Sequence, residues 1–400
     1  MRGESKFYVS LLLALIFSMS LLGQDTRTQY PTFLSKSYFG LDIGYIDYRF
    51  SNDQLNQGYH TSSIEVPHAA VRITLLGYRF NKYISAELNY MRPISWVRYV
   101  DINGAPWNLP VAMNIVTLVG KPSIPLSEHF SLNGELGMAL VTRAGFSIDD
   151  TKLMEDANYI SCSFGAGVTY HLNRHWDLAL DASITPAHGA AKQPATTFLS
   201  TGFAYNLQPL SEETVARNSS GGYLFPHNLL QVGYTTNEFG YALNDFFSKG
   251  PVPVFWGGDV HVAHGISLHY QRNIFHTRKV FSLDWGAGFS YWKSKIKEDR
   301  FYTFSLYPVL RFTALRTRPA DIYFNYSVAG PTFISGIVID EKLTGKKFTF
   351  QDFMGMGIYA GKKRKLNAEI RIAHYSNGNI YPENDGVMIP LSFNLGYSFD

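Results

Sequence analysis

The feature that most constrains this chain is a period-two alternation of apolar and polar residues, repeated in segment after segment from Ser37 to Leu207 and again from Leu229 to Phe399. Successive side chains of a strand point to opposite faces, so each segment reads as a β-strand with one greasy and one polar side. Pattern counting gives about eight strands in each half. Tight turns such as Asn81-Lys82 and Asn173-Arg174 alternate with long polar loops such as Ser51 to Pro67 and Ser147 to Asn158. Short turns on one side and long loops on the other are the asymmetry of an outer-membrane barrel.

Composition agrees with this reading. The chain has 26 Tyr, 29 Phe and 34 Gly, a mixture suited to aromatic girdles and glycine kinks, and a mean hydropathy of −0.09. That value disfavours helical membrane proteins but not barrels, whose apolar residues come every second position. After the N-terminus no apolar run reaches the roughly 18 residues of a membrane helix. At the N-terminus, Arg2 and Lys6 precede an apolar run from Phe7 to Leu22, so residues 1–23 read as a secretory signal peptide. The single cysteine, Cys162, excludes an internal disulfide framework. A net charge of +3 gives no reason to expect a nucleic-acid partner. No phosphate-cradling glycine loop, metal-ligand spacing or helix-length amphipathic pattern stands out, and no cofactor is expected. His261, His264 and His269 lie close together but differ in parity and lack a completing carboxylate or cysteine, so they are not assigned to a metal.

Between the halves, residues 208–226 include Ser211, Glu212, Glu213, Asn218, Ser219, Ser220, Gly221 and Gly222, a linker-like composition. The expected architecture is therefore all-β, with two tandem eight-stranded antiparallel transmembrane barrels over 37–207 and 227–400. One sixteen-stranded barrel is the alternative. An even strand number returns both ends of a barrel to the side from which the chain entered, so loops after odd-numbered strands face outward from the cell.

The segment Lys365 to Ser376 carries the candidate chemistry. Leu366, Ala368, Ile370 and Ile372 share one parity, and His374 and Ser376 continue it. A base and a hydroxyl two residues apart on a strand share a face, here the face turned to lipid, and the seventh strand ends at the outer rim. Serine ester cleavage needs such a base, a group that orients it, and donors for the oxyanion.

The stretch His374-Tyr375-Ser376-Asn377-Gly378-Asn379-Ile380-Tyr381-Pro382-Glu383-Asn384-Asp385-Gly386 resembles, in residues and ungapped spacing, the signature of the lipid A 3-O-deacylase (PagL-type) family. The resemblance covers the last barrel. It implies an eight-stranded outer-membrane barrel with a His/Ser/Glu triad on its lipid-facing surface and lipid A of lipopolysaccharide as substrate; separately, the near-terminal aromatic Phe399 suits insertion by the barrel assembly machinery. The resemblance also implies Ser376 as nucleophile, His374 as general base, and Asn377 and Asn384 as oxyanion or supporting groups. The family's glutamate falls on Met388, so the acid is sought in the adjoining loop, at Glu383 or Asp385, or the site runs as a dyad. Pro390 marks a place where a bulge would turn Met388 outward. The expected activity is a carboxylic ester hydrolase removing a 3-O acyl chain. The alternative is a non-catalytic barrel pair acting as anchor, adhesin or surface-binding protein. The first half resembles small OmpA-like barrels, and its Ala187-His188-Gly189-Ala190 echoes Ala373 to Ser376 with alanine in the place of the serine.

Overall fold

The computed structural model describes residues 27–149, 151–249 and 256–400. The expected signal peptide lies outside the described residues. The first barrel comprises β1 (Ser37–Tyr48), β2 (Ala69–Asn81), β3 (Ile84–Pro93), β4 (Ala105–Pro125), β5 (Phe130–Ala144), β6 (Ala157–His171), β7 (Trp176–Thr185) and β8 (Thr196–Asn206). Each strand pairs antiparallel with its neighbours, and β8 returns to β1 to close the wall. Two short strands, Thr61–Glu65 and Val97–Ile102, prolong the wall beyond its long-loop end.

The second barrel is closed by β9 (Asn228–Thr236), β10 (Val260–His276), β11 (Phe281–Ser294), β12 (Arg300–Arg316), β13 (Ala320–Ile334), β14 (Phe348–Ala360), β15 (Leu366–Ser376) and β16 (Val387–Phe399). The two tandem eight-stranded barrels expected from the sequence are thus present. Strand β9 stops early, and above it β10 meets β16 directly, Val260 beside Val387. Closure is what a membrane wall demands, because backbone N–H and C=O groups in hydrocarbon find partners only in the neighbouring strand.

The alternation sorts side chains as expected. Along β15, Leu366 and Ile370 are exposed on the wall, whereas Asn367, Glu369, Arg371 and Tyr375 are buried in the lumen. The lumen is filled. Glu369 takes bonds from Arg371 Nε, Tyr323 Oη and Asn325 Nδ2, each at 2.8 Å, and Arg311 pairs with Asp284. Nearer the long loops an apolar cluster that includes Trp292, Phe301, Tyr307, Phe353 and Tyr375 completes the packing. The first barrel also pairs charges in its lumen, with Arg72 bonded to Asp42, Glu135 and Asp181, but keeps a cavity of about 340 Å³ beside them.

Two short helices appear where the sequence showed no helical period. The linker contains α1 (Glu212–Ser219), capped by Ser211, whose side chain accepts from Thr214 N. The β9–β10 loop contains α2 (Ala242–Lys249). Two helical turns are too short to display an amphipathic repeat. At the short-turn end the barrels are tied together: Arg27 Nη1 donates to Phe225 O at 3.0 Å, His276 N to Arg27 O at 2.7 Å, and Tyr30 packs on Phe275.

Removing Glu369 by Glu369→Ala leaves Arg371 buried without its carboxylate. The expected cost is about 3–5 kcal/mol in the unfolding of the second barrel, read by denaturant titration in detergent.

Candidate active site

The site is set by a bulge. Strands β15 and β16 run in register as far as Arg371 opposite Ser392, then shift, and resume with Ala373 opposite Ile389, His374 opposite Met388 and Tyr375 opposite Val387. Pro390 sits in the shifted stretch, where its missing N–H costs the ladder nothing. Directly paired residues of an antiparallel ladder share a face. Since Tyr375, Val387, Ala373 and Ile389 belong to the buried lumen cluster, His374 and Met388 project from the opposite, outward face. On the other flank His374 is paired with Asp352 of β14, whose neighbours Gln351 and Phe353 point inward, to Tyr375 Oη and beneath Arg371. Asp352, His374 and Met388 therefore form one row across three strands of the outer wall.

Within that row His374 Nδ1 lies 3.8 Å from Asp352 Oδ2. The other carboxylate oxygen is held by Ala329 N at 2.7 Å, offered by a bulge in β13 at which Ala329 takes a positive φ of 55°. A backbone donor thus fixes the carboxylate with one oxygen turned to the imidazole. Sequence reasoning sought the acid in the loop and missed Asp352, which lies 22 residues upstream and becomes a neighbour only through the β14–β15 register. The available signal was its parity: Asp352 alternates with Phe350 and Met354 on the apolar side of its strand.

His374 points outward but is not open to the bilayer. Only 2% of it is exposed. Gly386 lies against the ring so closely that a Cβ there would sit 2.7 Å from Nε2, and the backbone of Gly257 flanks Gly386. Helix α2 braces this cover through Asn244 Nδ2, which donates to Ile389 O at 2.9 Å, while Leu243 and Phe246 remain exposed.

Ser376 ends β15. Its Oγ lies 3.1 Å from both Gly378 N and Asn384 Nδ2, and 3.2 Å from Asn384 Oδ1. Asn384 Oδ1 also accepts from Asn377 N at 2.8 Å, and Asn384 Nδ2 donates to Asn379 Oδ1 at 2.8 Å. Gly378 and Asn379 both adopt left-handed backbone, φ 63° and 56°, which curls the chain around the hydroxyl. Donors this near the hydroxyl are within reach of an oxygen that would form beside it. Asn377 is fully buried and turns its own amide away from the serine, with Nδ2 on Glu383 O at 2.6 Å. It holds the loop closed, whereas Asn384 touches the hydroxyl.

The two acids sought in the loop are placed differently. Asp385 Oδ2 accepts from Leu343 N at 2.8 Å, tying the loop to the 338–343 hairpin. Glu383 has an exposed side chain and serves the loop through its carbonyl. The carboxylate that stands across the strand from His374 is Asp352. In the first barrel, His188 caps a short turn, its Nδ1 accepting from Ala191 N at 3.2 Å, and stacks on Tyr159 at 4.1 Å. Its counterpart of the serine being alanine, it has no nucleophile beside it. Of the trio His261, His264 and His269, His269 is buried in the lumen with Nδ1 2.9 Å from Tyr307 Oη.

Comparison with known proteins places both halves. Residues 264–398 match the family described as Lipid A 3-O-deacylase (PagL), and residues 9–206 match the Outer membrane protein beta-barrel domain. No curated protein matches the chain. Among solved structures it is similar to the outer membrane enzyme PagL, at 18% identity over 43% of this chain and 99% of that one, with a TM-score of 0.29. It is also similar to the N-terminal β-barrel domain of Pseudomonas aeruginosa OprF, at 14% identity over 42% and 98%, with a TM-score of 0.27. At such identities and scores neither structure says what this chain does. The family matches and the closed barrels together make this an outer-membrane protein whose first half is a β-barrel domain of the general outer-membrane type and whose C-terminal region is a PagL-family domain.

Proposed function

We propose that the chain is an outer-membrane serine esterase that removes the 3-O acyl chain from lipid A. The observation that carries this reading is the outward row at the rim of the second barrel, where Ser376 and His374 share a face, Asp352 flanks the imidazole, and Gly378 N–H and Asn384 surround the hydroxyl. A substrate lying in the outer leaflet meets such a site from the side, its sugar among the loops and its acyl chains along the wall. Lys346 and Lys347, exposed on the loop before β14, supply positive charge for lipid phosphates.

In this reaction Ser376 Oγ attacks the ester carbonyl while His374 takes its proton. Asp352 holds the ring through Nδ1 and stabilises the imidazolium. The 3.8 Å separation exceeds hydrogen-bond length, and contacts of this kind tighten as the reacting complex forms. The oxyanion forms on the carbonyl oxygen beside Oγ and is met by Gly378 N–H and Asn384 Nδ2 as they turn to it from the hydroxyl. Collapse breaks the bond to the sugar oxygen, which receives the proton from His374. Water, activated by the same histidine, then releases the fatty acid and restores Ser376.

Asp352 takes over the part that a glutamate at the Met388 position plays in the family signature. His374 has a cross-strand neighbour on each side, so a carboxylate on either flank reaches the same imidazole.

Mass spectrometry of lipid A from cells expressing the chain is expected to show loss of one hydroxyacyl group, and Ser376→Ala to abolish that loss; identical spectra would refute the esterase. Asp352→Asn should slow the reaction about 10²- to 10⁴-fold, the range for an orienting acid, whereas Glu383→Gln stays within about twofold, because loop carboxylates do not hold the ring. Adding Met388→Glu to Asp352→Asn should recover much of the rate, since the new carboxylate faces His374 from β16. Gly386→Ala, whose methyl would displace the ring, is expected to cost at least about 10-fold in rate while the barrel still folds.

A further inference from the structure

The loop that leaves Ser376 is gripped by the other barrel. Tyr90 Oη donates to Gly378 O at 3.2 Å, Asn114 Nδ2 to Asn379 O at 2.6 Å, and Thr142 Oγ1 to Ile380 O at 2.9 Å. Asn158 Nδ2 donates to the same Ile380 oxygen at 2.7 Å and to Thr142 Oγ1 at 2.8 Å. Three consecutive carbonyls of the second barrel thus accept from four side chains of the first. Those side chains stand on β3, β4, β5 and β6, which are neighbours in the wall, and all four lie toward the long-loop ends of their strands.

Their parity makes the arrangement notable. Met113, Ile115 and Val141, next to Asn114 and Thr142, pack in the first barrel's lumen core, so Asn114 and Thr142 point out of the wall. An outward position at this depth ordinarily carries an apolar residue, and an amide left in hydrocarbon is costly. Here the two are only 1% and 2% exposed, because the loop of the second barrel covers them.

The grip acts on the atoms around the nucleophile. The bond to Asn379 O fixes the peptide plane whose Ile380 N–H donates to Asn377 O at 3.2 Å, and that carbonyl shares its plane with the Gly378 N–H held on Ser376 Oγ; the grip also seats Asn379, whose Oδ1 holds Asn384 on the same hydroxyl. We propose that the outer wall of the first barrel is a docking surface for the 378–380 segment and that its four donors are positioning residues for the oxyanion site. The proposal rests on the esterase reading. It assigns the first barrel, where Ala190 stands in the place of the serine, a part in the second barrel's chemistry.

The test uses the full chain in outer membranes and in mixed micelles with lipid A. In a Cys162→Ser background, Asn158→Cys with Ile380→Cys should form an interbarrel disulfide on mild oxidation, without regard to activity; failure to form it would overturn the docking. Tyr90→Phe, Asn114→Leu, Thr142→Val and Asn158→Leu combined, all compatible with a lipid-facing wall, should lower kcat about 10-fold or more and leave the half-saturating lipid A fraction within about twofold. In the single-site series, Thr142→Ser should recover the rate lost in Thr142→Val. An unchanged kcat in a chain whose cross-link forms would overturn the positioning role. If the parent and Ser376→Ala leave lipid A equally intact, the esterase reading and the positioning role fall together, while the cross-link still reports whether the surfaces meet.

Discussion

Every feature of the site follows from one geometric constraint: in a closed barrel each strand has two flanking strands, and directly paired residues present their side chains on the same side of the wall. His374 therefore has two fixed companions on its outer face, Asp352 and Met388. The bulge beside Pro390 decides which residue of β16 fills the second place; without the shift, Ile389, which now packs in the lumen, would face outward there in place of Met388. A membrane wall allows no other adjustment, since the backbone is committed to its ladders and only register and side-chain identity are free.

Much of this was legible in the sequence, because the information is periodic. Alternation located all sixteen wall strands, the polar 208–226 stretch separated two barrels, and parity put His374 and Ser376 on the face opposite Glu369 and Arg371. What escaped is what periodicity does not encode. The proximity of Asp352 to His374 depends on the register between two strands joined by a turn, not on spacing along either. Helix α2 escaped because eight residues hold only two turns. The contact of Asn114, Thr142 and Asn158 with the 378–380 loop joins residues more than two hundred positions apart. Their outward polarity was the trace left in the sequence, although a single asparagine near a strand end reads as an ordinary rim residue.

The two lumens work differently from the walls. Both carry paired charges and rings, Arg72 with its three carboxylates in one and the Glu369 and Arg311 networks in the other, and the first keeps a cavity of about 340 Å³ beside Arg72, Glu87 and Lys121. The packed interior of the second barrel stiffens the cylinder on which the outward row is mounted. Stability is thus held inside and the candidate site outside, with one strand, β15, contributing alternate residues to each.

Under the esterase reading proposed above, a site mounted on the outer wall of a barrel has a kinetic consequence. Encounters occur by diffusion in the plane of one leaflet, so occupancy follows the surface fraction of the lipid and not its amount per volume of suspension. Dilution of the vesicles leaves turnover untouched, whereas dilution of the lipid among inert neighbours slows it.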